Sequence, residues 1–104
     1  MVAELMAYLR ENCGERITLE LLARRCARSK QGLLRRFREA TGKTPMAYLA
    51  AMRLARAKAL LRNSDLSVGE IAQSCGFENV YYFSNFFRTA TGSAPTAYRK
   101  NVDL

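Results

Sequence analysis

The chain uses one stretch twice. Leu66 to Tyr98, LSVGEIAQSCGFENVYYFSNFFRTATGSAPTAY, has the layout of an earlier stretch from Ile17 to Tyr48, ITLELLARRCARSKQGLLRRFREATGKTPMAY. Ala23 pairs with Ala72 and Cys26 with Cys75. After a one-residue slip, Phe37-Arg38 pairs with Phe87-Arg88 and Ala40-Thr41-Gly42 with Ala90-Thr91-Gly92. Pro45 and Ala47-Tyr48 then pair with Pro95 and Ala97-Tyr98. A duplicated supersecondary unit constrains the fold more than any other feature, because both copies must bury the same face. Each copy reads as a short helix, a tight turn, a longer helix, a glycine stop and a proline restart.

The spacing of apolar residues turns that layout into seven helices. Val2, Leu5, Met6 and Leu9 recur at helical intervals and predict a first helix from Val2 to about Asn12. Thr18 is an N-cap for a second helix ending near Arg25, with Leu19, Leu22 and Ala23 inward. Ser29 caps a third helix running to about Thr41, its inward face Leu33, Phe37 and Ala40, and Gly42 stops it. Thr44-Pro45 opens a fourth helix to Arg62. Ser67 and Glu70 have capping-box spacing for a fifth. Asn79 caps a sixth, with Phe83, Phe87 and Ala90 inward and Gly92 as its stop. Pro95 starts a short seventh through Tyr98, and residues 101–104 are expected to fray. Nothing alternates with period two over a useful length, so the fold class is all-α. The predicted organisation is a first helix-turn-helix subdomain at 1–44, a linker helix at 45–63 and a second subdomain at 64–104.

Composition bounds the partner. The 104 residues carry a formal charge of +8, which points to a polyanion, most simply nucleic acid. Residues 1–62 hold 14 Lys and Arg against five Asp and Glu, a balance of +9, whereas residues 63–104 stand at −1. The first copy is therefore expected to be the electrostatic anchor and the second the weaker arm. Histidine is absent and no Cys-x-x-Cys pair exists among Cys13, Cys26 and Cys75, so no disulfide framework, metal or cofactor is expected. Cys26 and Cys75 hold equivalent places and are read as small buried core residues. No segment has the length and apolarity of a membrane span, and the N-terminus lacks a signal-peptide pattern. The expected compartment is the cytoplasm, with no membrane partner.

Two helices joined by a tight turn, the second longer and polar on one face, match a helix-turn-helix. In that motif the second helix enters the major groove. With Leu33 as the inward direction, Gln31, Arg35 and Arg38 fall at about 160°, 200° and 140°. Counting from Phe83 places Tyr81, Asn85 and Arg88 on the matching outward face. Arg35 suits a guanine edge, and Gln31 or Asn85 an adenine. Tyr81 and Tyr82 suit a thymine methyl or a phosphate. Arg38 and Arg88, toward the helix ends, suit phosphates, as do the surrounding Arg24, Arg25, Arg28, Lys30, Arg36 and Lys43. Leu34 lies between the core and the outward face, and Phe86 falls on a core or inter-subdomain flank. The linker helix spans roughly 25 Å, enough with packing at its ends to set two recognition helices near one duplex turn, about 34 Å, apart. A monomer would then read a bipartite site through successive major grooves.

The run IAQSCGFENVYYFSNFFRTATGSAPTAYRK resembles the C-terminal signature of the AraC/XylS family of bacterial transcription regulators. Ile71-Ala72, Gly76-Phe77, Tyr82-Phe83-Ser84, Phe87-Arg88, Gly92 to Pro95 and Tyr98-Arg99 carry that pattern, and the likeness extends from the first helix to Lys100. The resemblance implies sequence-specific binding of double-stranded DNA and regulation, commonly activation, of transcription. It places base contacts at Gln31, Leu34 and Arg35 and at Val80, Tyr81, Tyr82 and Asn85. Position 85 often carries Arg in the family; Asn here removes a strong guanine reader, and the uncharged second copy points to a modest or shape-based contribution. Family members commonly activate by touching RNA polymerase and usually carry a separate effector or dimerisation domain, which nothing in this chain resembles. The chain is therefore either a stand-alone regulator or an excised DNA-binding domain, and its abrupt start favours excision.

Two other readings stand beside this one. Some DNA-repair methyl acceptors carry a domain of this family beside a reactive Cys, and Cys13 is the candidate thiol outside the repeat. No activating cluster surrounds it in the sequence, and no nucleophile elbow, phosphate loop or metal spacing supports an enzyme. A helical protein-interaction module would expose an apolar patch, whereas Arg, Gln and Asn occupy the outward faces.

Overall fold

The computed structural model describes residues 1–102. Over them run α1 (Val2–Glu11), α2 (Leu19–Arg25), α3 (Lys30–Thr41), α4 (Pro45–Asn63), α5 (Val68–Ser74), α6 (Val80–Thr91) and α7 (Pro95–Val102). No strand occurs among the described residues, and the fold is all-α.

The helix boundaries follow from local chemistry. The Thr18 hydroxyl accepts from the Leu21 N–H at 3.1 Å, and the Ser29 hydroxyl from the Gly32 N–H at 3.0 Å. Ser67 and Glu70 close both halves of a capping box, at 3.1 and 3.0 Å. Asn79 Oδ1 accepts from the Tyr81 N–H at 2.7 Å. Each cap satisfies a donor that the first helical turn leaves without a partner. The two recognition-type helices stop in the same way: Gly42 (φ 80°) and Gly92 (φ 85°) adopt the left-handed conformation, and their N–H groups return to Arg38 O and Arg88 O. That conformation costs any residue with a Cβ, which is why glycine recurs there.

Packing divides the chain within α4, between Met52 and Arg53. In the first unit, Leu5 and Leu9 of α1, Leu22 and Ala23 of α2, Leu33 and Phe37 of α3 and Leu49 of α4 are buried together with Cys13 and Ile17. In the second, Ala57 and Leu61 of α4 join Ile71, Ala72, Cys75, Phe83 and Phe87. The C-terminal half of α4 thus does for the second unit what α1 does for the first. Its N-terminal half matches α7: Tyr48 stands edge-on to Phe37 at 5.8 Å, as Tyr98 does to Phe87 at 5.2 Å.

Three expectations change. Ala40 and Ala90 are exposed, not inward. The core ends at Phe37 and Phe87, whose rings are covered by Tyr48 and Tyr98, and the last turn of each helix runs past it. Cys75 is fully buried, but Cys26 is only half-buried, because it lines a cleft of about 550 Å³ with Met1, Glu4, Leu5 and Arg25. The seventh helix does not end at Tyr98. Arg99 donates from Nε to Leu61 O at 3.1 Å and from Nη2 to Ser64 O at 3.2 Å, filling carbonyls at the end of α4 and anchoring α7 as it continues to Val102. The expected fraying of Asp103 and Leu104 lies outside the described residues.

Candidate nucleic-acid interface

Helix α3 presents Gln31, Arg35, Arg36 and Arg38 to solvent, opposite the buried Leu33 and Phe37. Leu34 is half-buried. It lines a shallow cleft of about 430 Å³ with Arg35, Arg38 and Glu39, so it flanks the exposed face instead of joining the core. Arg28 lies in the turn before α3 and Lys43 just after it, both exposed. Lys30 is exposed but engaged: its Nζ donates to Glu20 Oε1 at 2.8 Å. That hydrogen bond holds the Glu20 carboxyl below its ordinary value. A pair so open to water is weak, and a phosphate can displace it at little cost. Arg25, although exposed, lies with its guanidinium 4.0 Å above the Tyr8 ring.

The tight turn ahead of α3 contains Ala27 at φ 52°, whereas the corresponding turn ahead of α6 has Gly76 at φ 88°. Both turns need a left-handed residue, but only the second supplies glycine. Gly76 also meets a close neighbour: an added Cβ would stand 2.9 Å from Arg53 Nη2.

Helix α6 presents a different chemistry. Val80, Tyr81 and Tyr82 are 45%, 73% and 68% exposed, an unusual display for such large side chains. Asn85 and Arg88 follow on the same face, and Arg88 Nη2 donates to Asn85 Oδ1 at 3.1 Å. Phe86 is half-buried against Phe77, 5.1 Å between ring centroids. The outward faces of the two helices are thus equivalent in position, but the first is cationic and the second aromatic.

The charge contrast between the two halves is smaller than the sequence split implied. Arg53, Arg56, Lys58 and Arg62 pack with the second unit, which gives balances of +5 for residues 1–52 and +3 for 53–104. Arg56 donates from Nε and Nη2 to Ser74 Oγ at 3.1 and 2.9 Å, and the Arg53 guanidinium lies 5.8 Å from the Phe77 ring centroid. These arginines brace the α5–α6 turn. The charge count over residues 1–62 grouped them with the first copy, whereas α4 serves both cores. Among the described residues, no cluster of three or more His, Cys, Asp or Glu side chains could hold a metal ion.

Comparison with known proteins decides the family. A helix-turn-helix domain profile matches residues 22–101. The transcriptional activator RhaS of Escherichia fergusonii is 41% identical over 99 residues, covering 95% of this chain and 36% of RhaS. The DNA-binding domain of AdpA, solved in complex with a target DNA, superposes with a TM-score of 0.91 at 39% identity, over 96% of this chain and 90% of that one. A probable AraC family regulator from Rhodopseudomonas palustris superposes with a TM-score of 0.81 at 29% identity, over 97% and 95%. This chain belongs to the AraC family. It is an AraC-type DNA-binding domain of the transcription-regulator class, and the family is not one of enzymes. The domain spans about a third of the length of the curated relatives it matches. No helix among its described residues is long and apolar enough to cross a membrane.

Proposed function

We propose that this AraC-type domain reads a bipartite site on double-stranded DNA, with α3 and α6 as recognition helices in successive major grooves. The carrying observation is the pair of equivalent outward faces, Gln31-Arg35-Arg38 and Tyr81-Asn85-Arg88, each backed by a buried pair at equivalent positions, Leu33 and Phe37 in the first unit and Phe83 and Phe87 in the second. Arg35 reads a guanine, Gln31 an adenine, and Leu34 a thymine methyl. Val80, Tyr81 and Tyr82 supply apolar contact to base edges at the second half-site. Arg28, Lys30, Arg36, Arg38 and Lys43 grip phosphates and fix the register of α3. The uninterrupted α4, Pro45 to Asn63, is the connector that allows one chain to span both half-sites.

The regulated step is transcription, by activation as the name of RhaS states for that protein, with RNA polymerase as the second partner. An effector or dimerisation domain elsewhere in the whole protein fits the share of its relatives that this domain spans. The compartment this reading requires is the cytoplasm, where bacterial promoters lie.

Selection of bound sequences from a random duplex library at near-physiological salt tests the proposal. A two-block site is expected, and Arg35→Ala should relax preference at one base pair within the first block, at a cost of about 1–3 kcal/mol. Binding without enrichment, collapsing as salt rises, would reduce the domain to a phosphate grip and sink the reading.

A further inference from the structure

Arg88 is the one cation on α6, and its place near the helix end fits a phosphate contact. Its observed engagement is different. Nη2 donates to Asn85 Oδ1 at 3.1 Å, one turn back on the exposed face. A guanidinium has five donors and no acceptor, so the atom of Asn85 that faces it must be the oxygen. The orientation of the Asn85 amide is therefore set by chemistry, with Nδ2 left as the group directed away from Arg88.

An asparagine recognises adenine through both ends of its amide: Oδ1 accepts from N6 while Nδ2 donates to N7. Oδ1 keeps a second lone pair, but a cation on the first weakens it as an acceptor and strengthens Nδ2 as a donor, so Asn85 meets the groove chiefly as a donor. Guanine offers two adjacent acceptors, N7 and O6, to such a group; adenine offers one acceptor beside a donor that has nothing to receive it. On α3 the equivalent position, Arg35, is itself a guanidinium. Both copies then present donors at the same place, one from an arginine and one from an amide held by an arginine.

We infer that Arg88 is a positioning residue that fixes the Asn85 amide as a donor, so that the base pair under α6 at this position is read as guanine and not adenine. The inference rests on the proposed placement of α6 in the major groove. It replaces the expectations that Asn85 pairs with adenine and that Arg88 acts as a phosphate clamp.

The test is selection of bound duplexes by the 104-residue chain and by Asn85→Ala, Arg88→Met and Arg88→Lys, with the base pair under residue 85 defined as the one whose preference disappears in Asn85→Ala. The wild type should prefer guanine there by about tenfold over adenine. Arg88→Met keeps the aliphatic stem but removes the donor, and should shift the preference toward adenine. Arg88→Lys restores a donor and should return it to guanine. A wild-type preference for adenine overturns the inference. So does a uniform loss of affinity in Arg88→Met with unchanged base preferences and a salt slope shallower by about one, the mark of a phosphate clamp. Loss of no preference in Asn85→Ala overturns it as well. Through all these outcomes the base pair dependent on Arg35 should keep its preference, which separates failure at residue 85 from failure of the DNA-reading proposal.

Discussion

Single residues in this domain divide into those that specify and those that hold. Lys43 and Arg36 are exposed, and the proposed function gives them phosphate contacts alone. Lys43→Ala is expected to weaken binding to every duplex alike and to lower the salt slope by about one, whereas Arg35→Ala should change which duplex is preferred. Titration of labelled duplexes over a range of salt separates the two. Most of the outward-facing residues were legible in the sequence, because helical periodicity fixes what lies opposite Leu33 and Phe83. What was not legible is how side chains pair with one another. Nothing in the spacing shows that Lys30 reaches Glu20, that Arg25 covers Tyr8, or that Arg99 turns back to the carbonyls of Leu61 and Ser64. Those partners come from other elements, or from rotamers that a residue count does not encode. Arg99 is the clearest stabilising case, since its hydrogen bonds are charge-assisted. Arg99→Ala should cost roughly 1.5–3 kcal/mol in urea unfolding.

At the level of elements, caps and turns carry the predictions. Ser67→Ala removes the hydroxyl that accepts from the Glu70 N–H and should cost about 1 kcal/mol. The other half of that box depends on pH. The Ser67 N–H, bonded to the Glu70 carboxylate, lowers that carboxyl's pKa below its ordinary value of 4.5. A depressed carboxyl pKa contributes stability that is present above the unfolded value and is lost as pH falls through the folded one. Glu70→Ala should therefore be less stable than the parent at pH 7, and the two should converge below pH 4.5. The two helix-turn-helix turns differ in a way that engineering can use. Ala27 holds a left-handed conformation that glycine adopts without strain, so Ala27→Gly should stabilise the domain by about 0.5–1 kcal/mol after glycine's larger unfolded entropy is discounted. Gly76→Ala should go the other way by at least as much, since it adds strain and displaces the Arg53 guanidinium. Denaturant melts of the two variants check both signs. Helix starts and stops were readable because Thr18, Ser29, Ser67, Asn79, Gly42 and Gly92 are local signals. The exposure of Ala40 and Ala90 was not, because it depends on Tyr48 and Tyr98 closing each core from the next helix.

For the whole molecule, the duplicated sequence revealed two copies and set the fourth helix between them as a linker, without showing how that helix is shared between two cores. Sequence likeness begins the second copy after α4, whereas packing divides α4 itself, so Arg53, Arg56, Lys58 and Arg62 serve the second unit. A helix with apolar residues for two separate cores shows no single face, and periodicity alone cannot apportion it. Under the proposed function, one chain reads two half-sites through this shared helix. The most direct test takes the selected duplex and inserts about five base pairs, half a helical turn, between its two blocks, measuring affinity and stoichiometry by electrophoretic mobility shift. Binding by one chain per duplex is expected, with affinity falling on insertion to that of a duplex carrying a single block. Affinity indifferent to the insertion, or two chains on the parent duplex, would contradict a monomeric two-groove reader.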